Sequence, residues 1–174
     1  MTPDWRLRRA TAADAPAVAM VAAASFLETF AGILPGDDIV AHCTRNSSVA
    51  KFAGWADDPM SVVTLATHPQ GHAPVGYTLL TTPDLPVTAL PDDLELRRIY
   101  ALSMTRGSGL GHRLMAQAIA DAAILGGRRL LLGVLGTNRV ARAFYEREGF
   151  VLAGTRRFNV GAGWYHDVIY ARDL

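Results

Sequence analysis

Apolar positions along this chain change period several times, and each change marks an element. Leu7-Arg8-Arg9-Ala10 reads as a short first strand, closed by Thr11, whose Thr-Ala-Ala-Asp start suits a helix cap. Ala17, Met20, Val21, Ala24 and Phe26 then recur at helical spacing and predict a helix up to Phe30. Gly32 to Pro59 has mixed periodicity: Gly-Ile-Leu-Pro-Gly breaks the chain, and Asp37 to Ala56 predicts one or two short, irregular helices. Ser61 to Ala66 and Val75 to Leu80 read as a hairpin across the turn-rich His68-Pro69-Gln70-Gly71. Pro83, Pro86 and Pro91 mark a surface connection.

The pattern sharpens after that connection. Leu94 to Leu102 is a strand that runs straight into a glycine-rich turn. Leu110, Leu114, Met115, Ala118, Ile119 and Ala122 trace one apolar helix face, stopped by Gly126-Gly127. Leu130 to Leu135 is a continuous apolar run, as a strand buried on both faces would be. Asn138 caps a helix to Glu148 that Gly149 closes, and Phe150 to Phe158 and Trp164 to Tyr170 form two last strands around Gly161-Ala162-Gly163. The order β-α-(α)-β-β-β-α-β-α-β-β predicts a mixed α/β fold, one central mixed sheet with helices on both faces.

Composition narrows the partners. A chain of 174 residues fits one domain, residues 1–174, with a sizeable core. A net charge of +1 gives no reason to expect nucleic acid or an anionic membrane surface. The N-terminal charges have no apolar stretch behind them that reads as a signal peptide, and the apolar runs are too short to span a bilayer. Cys43 stands alone, so no internal disulfide is available and a cytoplasmic location is expected. His42 beside it finds no repeat of metal-ligand spacing, so no metal is expected.

The chemistry concentrates in Arg106-Gly107-Ser108-Gly109-Leu110-Gly111-His112. Glycines between a strand and a helix leave several backbone N–H groups at the helix start without acceptors, at its positive end, where a phosphate is favoured. Arg106 adds a charged donor. Geometry alone would also call for glycine in a tight turn, and this stretch by itself supports both readings equally. A P-loop is excluded because Gly111 is followed by His112-Arg113 rather than Lys-Ser/Thr. A dinucleotide fingerprint is excluded because its third glycine would fall one residue later and no acidic residue follows the next strand at the required distance.

Arg106-x-x-Gly109-x-Gly111 on a strand–turn–helix resembles the R/Q-x-x-G-x-G/A motif of GCN5-related N-acetyltransferases, the GNAT superfamily. The likeness continues through Gly133-Val134, Asn138 and Ala143 to Phe150, and covers roughly residue 94 to the end. Within the superfamily, Ser25 to Phe30, Arg98-Ile99-Tyr100, Phe158 to Gly161 and Asp167 resemble the PaiA, spermidine-type members.

The resemblance implies a mostly antiparallel sheet of six or seven strands, splayed between the fourth and fifth. The pantetheine arm of acetyl-CoA would lie in that gap against the backbone of Ile99, Tyr100 and Ala101. The pyrophosphate would sit on residues 106–112, and Asn138 would bond a pantetheine amide. The implied activity is acetyl transfer to a primary amine, a small amine or polyamine being favoured, by direct attack in a ternary complex. An amine of pKa about 10.4 must lose a proton before attack. Glu95 takes the place of that base, with an ion pair to Arg97 as its plain structural alternative. Tyr145 takes the place of the acid that protonates the leaving thiolate, with core packing beside Phe144 as its alternative. The N–H of Ala101 would polarise the carbonyl. Glu28, Asp37, Asp38, Asp92 and Asp93 are candidate attractors for a polyamine, and Phe30, Tyr77, Trp164 and Tyr165 candidate walls of its pocket. Two rivals stand beside this reading: acetylation of a protein N-terminus or lysine, and a non-catalytic acyl-CoA sensor. A second copy of the chain is a candidate partner.

Overall fold

A computed structural model of the chain describes residues 4–174. Twelve strands and helices build it: β1 (Arg6–Arg9), α1 (Ala15–Phe30), α2 (Gly36–Asn46), α3 (Val49–Asp57), β2 (Val62–Thr67), β3 (Pro74–Thr81), β4 (Asp93–Ala101), α4 (Leu110–Ile124), β5 (Arg129–Leu135), α5 (Arg139–Arg147), β6 (Val151–Val160) and β7 (Gly163–Asp173). The segment expected to be irregular holds two regular helices instead. Ser48 separates them, its Oγ accepting the Lys51 N–H at 3.2 Å, an N-cap that apolar periodicity does not reveal.

One seven-stranded sheet in the order β1-β2-β3-β4-β5-β7-β6 carries these helices. Only β4 and β5 run parallel; every other neighbouring pair is antiparallel. Leu94, Leu96, Leu130 and Leu132 pack against Met115, Ala118 and Ala122 of α4 on one face. Val63, Leu65, Tyr77 and Leu79 pack against Val18, Val21 and Ala22 of α1 and Phe52 of α3 on the other. Each large side chain so enclosed contributes about 2 kcal/mol of burial free energy. Residues Ala12–Phe30 match a membrane span by length and by a hydropathy of 1.2, but α1 lies on the sheet with Val18, Val21, Ala22 and Phe26 buried.

Two irregularities of β4 position everything that follows. Its pairing with β5 covers only Asp93↔Arg129, Leu94↔Leu130 and Glu95↔Leu131, after which the strands diverge. The closed end is clamped by Arg129, which donates from Nε and Nη2 to the two oxygens of the buried Asp93 at 2.8 and 2.6 Å. On its other edge β4 carries a bulge: Arg98 pairs with Leu79 and Leu96 with Leu80, leaving Arg97 as the extra residue. The bulge turns Ile99 toward the α4 core, and Arg98 and Tyr100 toward the α1–α3 side.

Candidate active site

The divergence of β4 and β5 opens a cavity of about 640 Å³ that runs from the backbone of β4 and β5 to helices α1 and α2 and the β6–β7 hairpin. Backbone polarity along its β4 edge alternates. Leu102 N–H donates to Val75 O at 2.8 Å, so Tyr100, two residues earlier, also turns its backbone toward β3, where it pairs with Tyr77. Ile99 and Ala101 therefore present N–H and C=O to the gap, unpaired by any strand. The expectation that all three residues free their backbone thus meets the period of two: Tyr100 offers the cavity its side chain instead.

At the mouth of the gap the chain makes a 3-10 turn, Ser103–Thr105, then the glycine loop, then α4. Arg106 and Ser108 N–H donate inside this turn, to Ser103 O and Thr105 O at 3.1 Å each. The donors left over are those of Gly107, Gly109, Leu110, Gly111 and His112, the last four being the free first N–H groups of α4. Gly107 and Gly109 have φ of +75° and +78°, which turns these donors to one side at no steric cost. Gly111 has room for a Cβ, which would make ordinary contact with the Phe144 ring at 3.7 Å. Leu110 is fully buried beside Trp5 and Leu114 and anchors the helix start.

The loop is also held from outside. Trp5 Nε1–H donates to Ser108 Oγ at 2.9 Å, and Glu28 accepts from Ser103 N–H at 2.8 Å and from its hydroxyl at 3.0 Å. His112 pairs with Glu148 at 3.0 Å on the exposed rim. Arg106 is exposed and carries its charge beside the nest of free donors. A doubly charged phosphate group fits this arrangement of amides and guanidinium.

Asn138, on the opposite lip, does two things at once. Its Oδ1 accepts the Ala141 N–H at 3.1 Å and caps α5, while its Nδ2 stays free at the cavity wall. From α5, Tyr145 reaches the gap from below. The residue is buried among Phe144, Phe150 and Tyr170, and its hydroxyl has no hydrogen-bond partner among the described residues. Burial first, and then the nearby Tyr100, push its phenol well above the ordinary range, so it holds its proton at neutral pH.

Glu95 lies at the apex where the strands part. It is buried, accepts the Asp84 N–H on Oε2 at 2.7 Å, and stands 3.6 Å from the Arg97 guanidinium. The ion pair with Arg97 therefore exists, and Oε1 of the same carboxylate has no hydrogen-bond partner among the described residues. Across the gap Arg156 Nε donates to Asp167 Oδ2 at 3.1 Å and its guanidinium covers Gly133, where a Cβ would come within 3.0 Å of it. Asp167 titrates above the usual carboxylate range because burial outweighs Arg156. Charge and spacing alone do not mark Arg156 as a site residue; the small residue it requires at Gly133 was the available signal.

The acidic residues proposed to draw in a polyamine lie elsewhere. Glu28 holds Ser103, Asp93 holds Arg129, Asp38 packs against Gly161, and Asp37 and Asp92 are exposed surface residues. Of the aromatic candidates, Phe30, Tyr77 and Tyr165 line the cavity, whereas Trp164 is exposed beneath Arg157. No group of three or more potential metal ligands occurs among the described residues.

Three comparisons place this geometry among known proteins. The sequence profile of the Acetyltransferase (GNAT) family matches residues 30–150. The chain is 34% identical over 161 residues to an uncharacterized N-acetyltransferase of Mycobacterium tuberculosis H37Rv, covering 92% of this chain and 98% of that one. In three dimensions it is similar to the PaiA N-acetyltransferase of Thermoplasma acidophilum, solved in complex with coenzyme A, at a TM-score of 0.76 and 18% identity over 98% and 99% of the two chains. It is also similar to YncA of Salmonella typhimurium, solved with acetyl-CoA, at a TM-score of 0.74 and 18% identity over 98% and 94%.

Proposed function

The chain belongs to the acetyltransferase (GNAT) family, and from that premise we propose that it moves the acetyl group of acetyl-CoA onto a primary amine of a small molecule, by direct attack within a ternary complex. The observation that carries the reading is the fork between β4 and β5, with unpaired Ile99 and Ala101 on one arm and the amide nest of α4 at its mouth. The pantetheine amides would complete the interrupted sheet, as an added strand does, with the Nδ2 of Asn138 as one further donor.

In this reading the acetyl carbonyl lies at the apex beside Glu95. The acceptor ammonium loses a proton to Glu95, directly or through one water, and the neutral nitrogen attacks the thioester carbon. The C–N bond forms while a backbone N–H that the β4 arm turns to the gap stabilises the oxyanion. The C–S bond then breaks, and Tyr145 gives its proton to the departing thiolate. The small-molecule acceptor is favoured over a protein because the cavity is walled by α1, α2 and the β6–β7 hairpin. Cys43, the single cysteine of the sequence, suits a reducing compartment, and we propose a cytoplasmic location.

A CoA-release assay with acetyl-CoA and a panel of small primary amines tests the proposal. Release above the rate of acetyl-CoA hydrolysis with at least one amine is expected. Acetyl-CoA binding with no release on any amine or peptide would replace the enzyme by a sensor, and release on peptides alone would move the acceptor to proteins.

A further inference from the structure

Charge in the acceptor half of the cavity is compensated on one wall and not on the other. The carboxylates Glu95 and Asp167 lie toward the fork apex and the β6–β7 hairpin, each with an arginine partner, Arg97 and Arg156. On the opposite wall, at the corner between α2 and α3, Arg98 and Lys51 converge, and no carboxylate pairs with either among the described residues. Arg98 donates to Ser47 Oγ at 3.1 Å and to Asn46 O at 2.8 Å, with its guanidinium held 5.3 and 5.7 Å from the rings of Trp55 and Phe52. These acceptors are neutral, so the charge itself is left uncompensated in a half-buried position, an arrangement that costs free energy unless an anion arrives.

His42 completes this wall. Its ring stacks on Phe26 at 4.3 Å, and its Nδ1 lies 3.2 Å from Asn46 Nδ2. Burial first, then Arg98 and Lys51, pull its pKa down to about 4, so the imidazole is neutral. An Nδ1 that accepts from the Asn46 amide leaves the hydrogen on Nε2, as a neutral donor beside two cations. A polycationic amine finds this wall repulsive. An acceptor that carries an anion at the end away from its amine supplies the charge this wall lacks, while its amine meets the carboxylates Glu95 and Asp167.

We infer that the acceptor is an amino-carboxylate, an α-amino acid with an apolar side chain, its carboxylate on Arg98, Lys51 and His42 and its amine toward Glu95 and Asp167. The inference rests on the proposed acetyl transfer to a small amine. Phe26, Phe30 and Phe158 give the apolar side chain its surface between the two charged ends.

The test compares L-phenylalanine with 2-phenylethylamine, L-leucine with 3-methylbutylamine, and both pairs with spermidine, in the wild type and in Lys51→Met and Arg98→Gln. Each pair differs in amine acidity as well as in the carboxylate, but that difference is common to all three proteins. The change in the kcat/KM ratio on mutation therefore isolates the cationic wall. The amino acids are expected to be the better substrates, and the ratio to fall on the order of tenfold in Lys51→Met, equivalent to about 1.4 kcal/mol. Lys51→Met is decisive should Arg98→Gln fail to fold, since Lys51 is exposed and holds no partner but the Trp55 ring at 5.8 Å. A ratio unchanged by Lys51→Met, or spermidine used as well as the amino acids, overturns the inference while leaving acetyl transfer standing. If no amine releases CoA, the transfer reading falls; the wall is then judged by whether L-phenylalanine raises the melting temperature of the acetyl-CoA complex more than 2-phenylethylamine, and no difference overturns it too.

Discussion

Replacing Asn138 separately by aspartate and by alanine divides its two jobs. The side chain caps α5 through Oδ1, 3.1 Å from the Ala141 nitrogen, and has Nδ2 free at the cavity wall. Alanine removes both groups. Loss of such a cap costs about 1 kcal/mol, and for a chain of this length each kcal/mol moves Tm by about 2–4 °C. Aspartate keeps the acceptor, is an equally good cap, and adds a negative charge at a helix N-terminus worth about 0.3–1 kcal/mol. Its Tm should therefore equal or slightly exceed that of the wild type. Both variants lose the donor proposed for the pantetheine amide. A lost hydrogen bond, with its partner left to be desolvated, amounts to about 1–2 kcal/mol, or roughly 5–30-fold in the acetyl-CoA Kd. Thermal unfolding of the free proteins and calorimetric titration with acetyl-CoA read the two effects independently. The reasoning is refuted if Asn138→Asp melts as low as Asn138→Ala, or if its acetyl-CoA Kd stays within twofold of the wild type.

Tyr145→Phe should leave acetyl-CoA affinity intact and lower kcat by about a hundredfold or more, the worth of a positioned proton donor; an unchanged kcat removes Tyr145 from the chemistry. Gly109→Ala meets no atom within 4 Å, so its effect is purely the left-handed backbone. It should cost about 1–2 kcal/mol, a few degrees of Tm, together with weaker acetyl-CoA binding as the nest distorts. Asp93→Asn breaks the buried pair with Arg129 and should lower Tm by on the order of 10 °C. Arg129 holds the Asp93 carboxyl below its ordinary range. Its contribution is therefore complete above the unfolded-state value of about 3.9 and fades as pH falls through and below it. Melting curves should accordingly show the gap between wild type and Asp93→Asn closing under acid, and a gap independent of pH would reject the clamp.

What could be read from the sequence was local. The glycine loop and the Asn138 cap lie within single strand–turn–helix units, where spacing fixes which groups face one another, and Tyr145 came from the resemblance. The β4–β5 separation was implied by resemblance; periodicity could not give it, because a strand that loses its partner keeps the same apolar pattern. The cavity wall and the brace of the glycine loop stayed hidden because they join distant segments: Arg98 meets Asn46 across 52 positions, and Glu28 meets Ser103 across 75. Of the acidic residues picked by charge alone, Glu28 and Asp93 proved to hold Ser103 and Arg129, and Asp37 and Asp92 stay on the surface, since a carboxylate's partner and not its sign decides its use. The regular α2 and α3 were blurred by Ser47-Ser48, a two-residue break too short to register as a loop.

The extra residue at Arg97 also bears on how the chain tolerates change in length. Side chains alternate along β4 with one parity up to Leu96 and the opposite parity from Arg98 onward. Deleting Arg97 would restore plain alternation, with Leu96 and Ile99 still toward α4 and Arg98 and Tyr100 still on the other face, whereas straightening the strand with every residue kept would send Ile99 into the α1–α3 side and Tyr100 into the α4 core. The two halves of this strand are thus written in different reading phases, and the slip between them falls where the sheet forks.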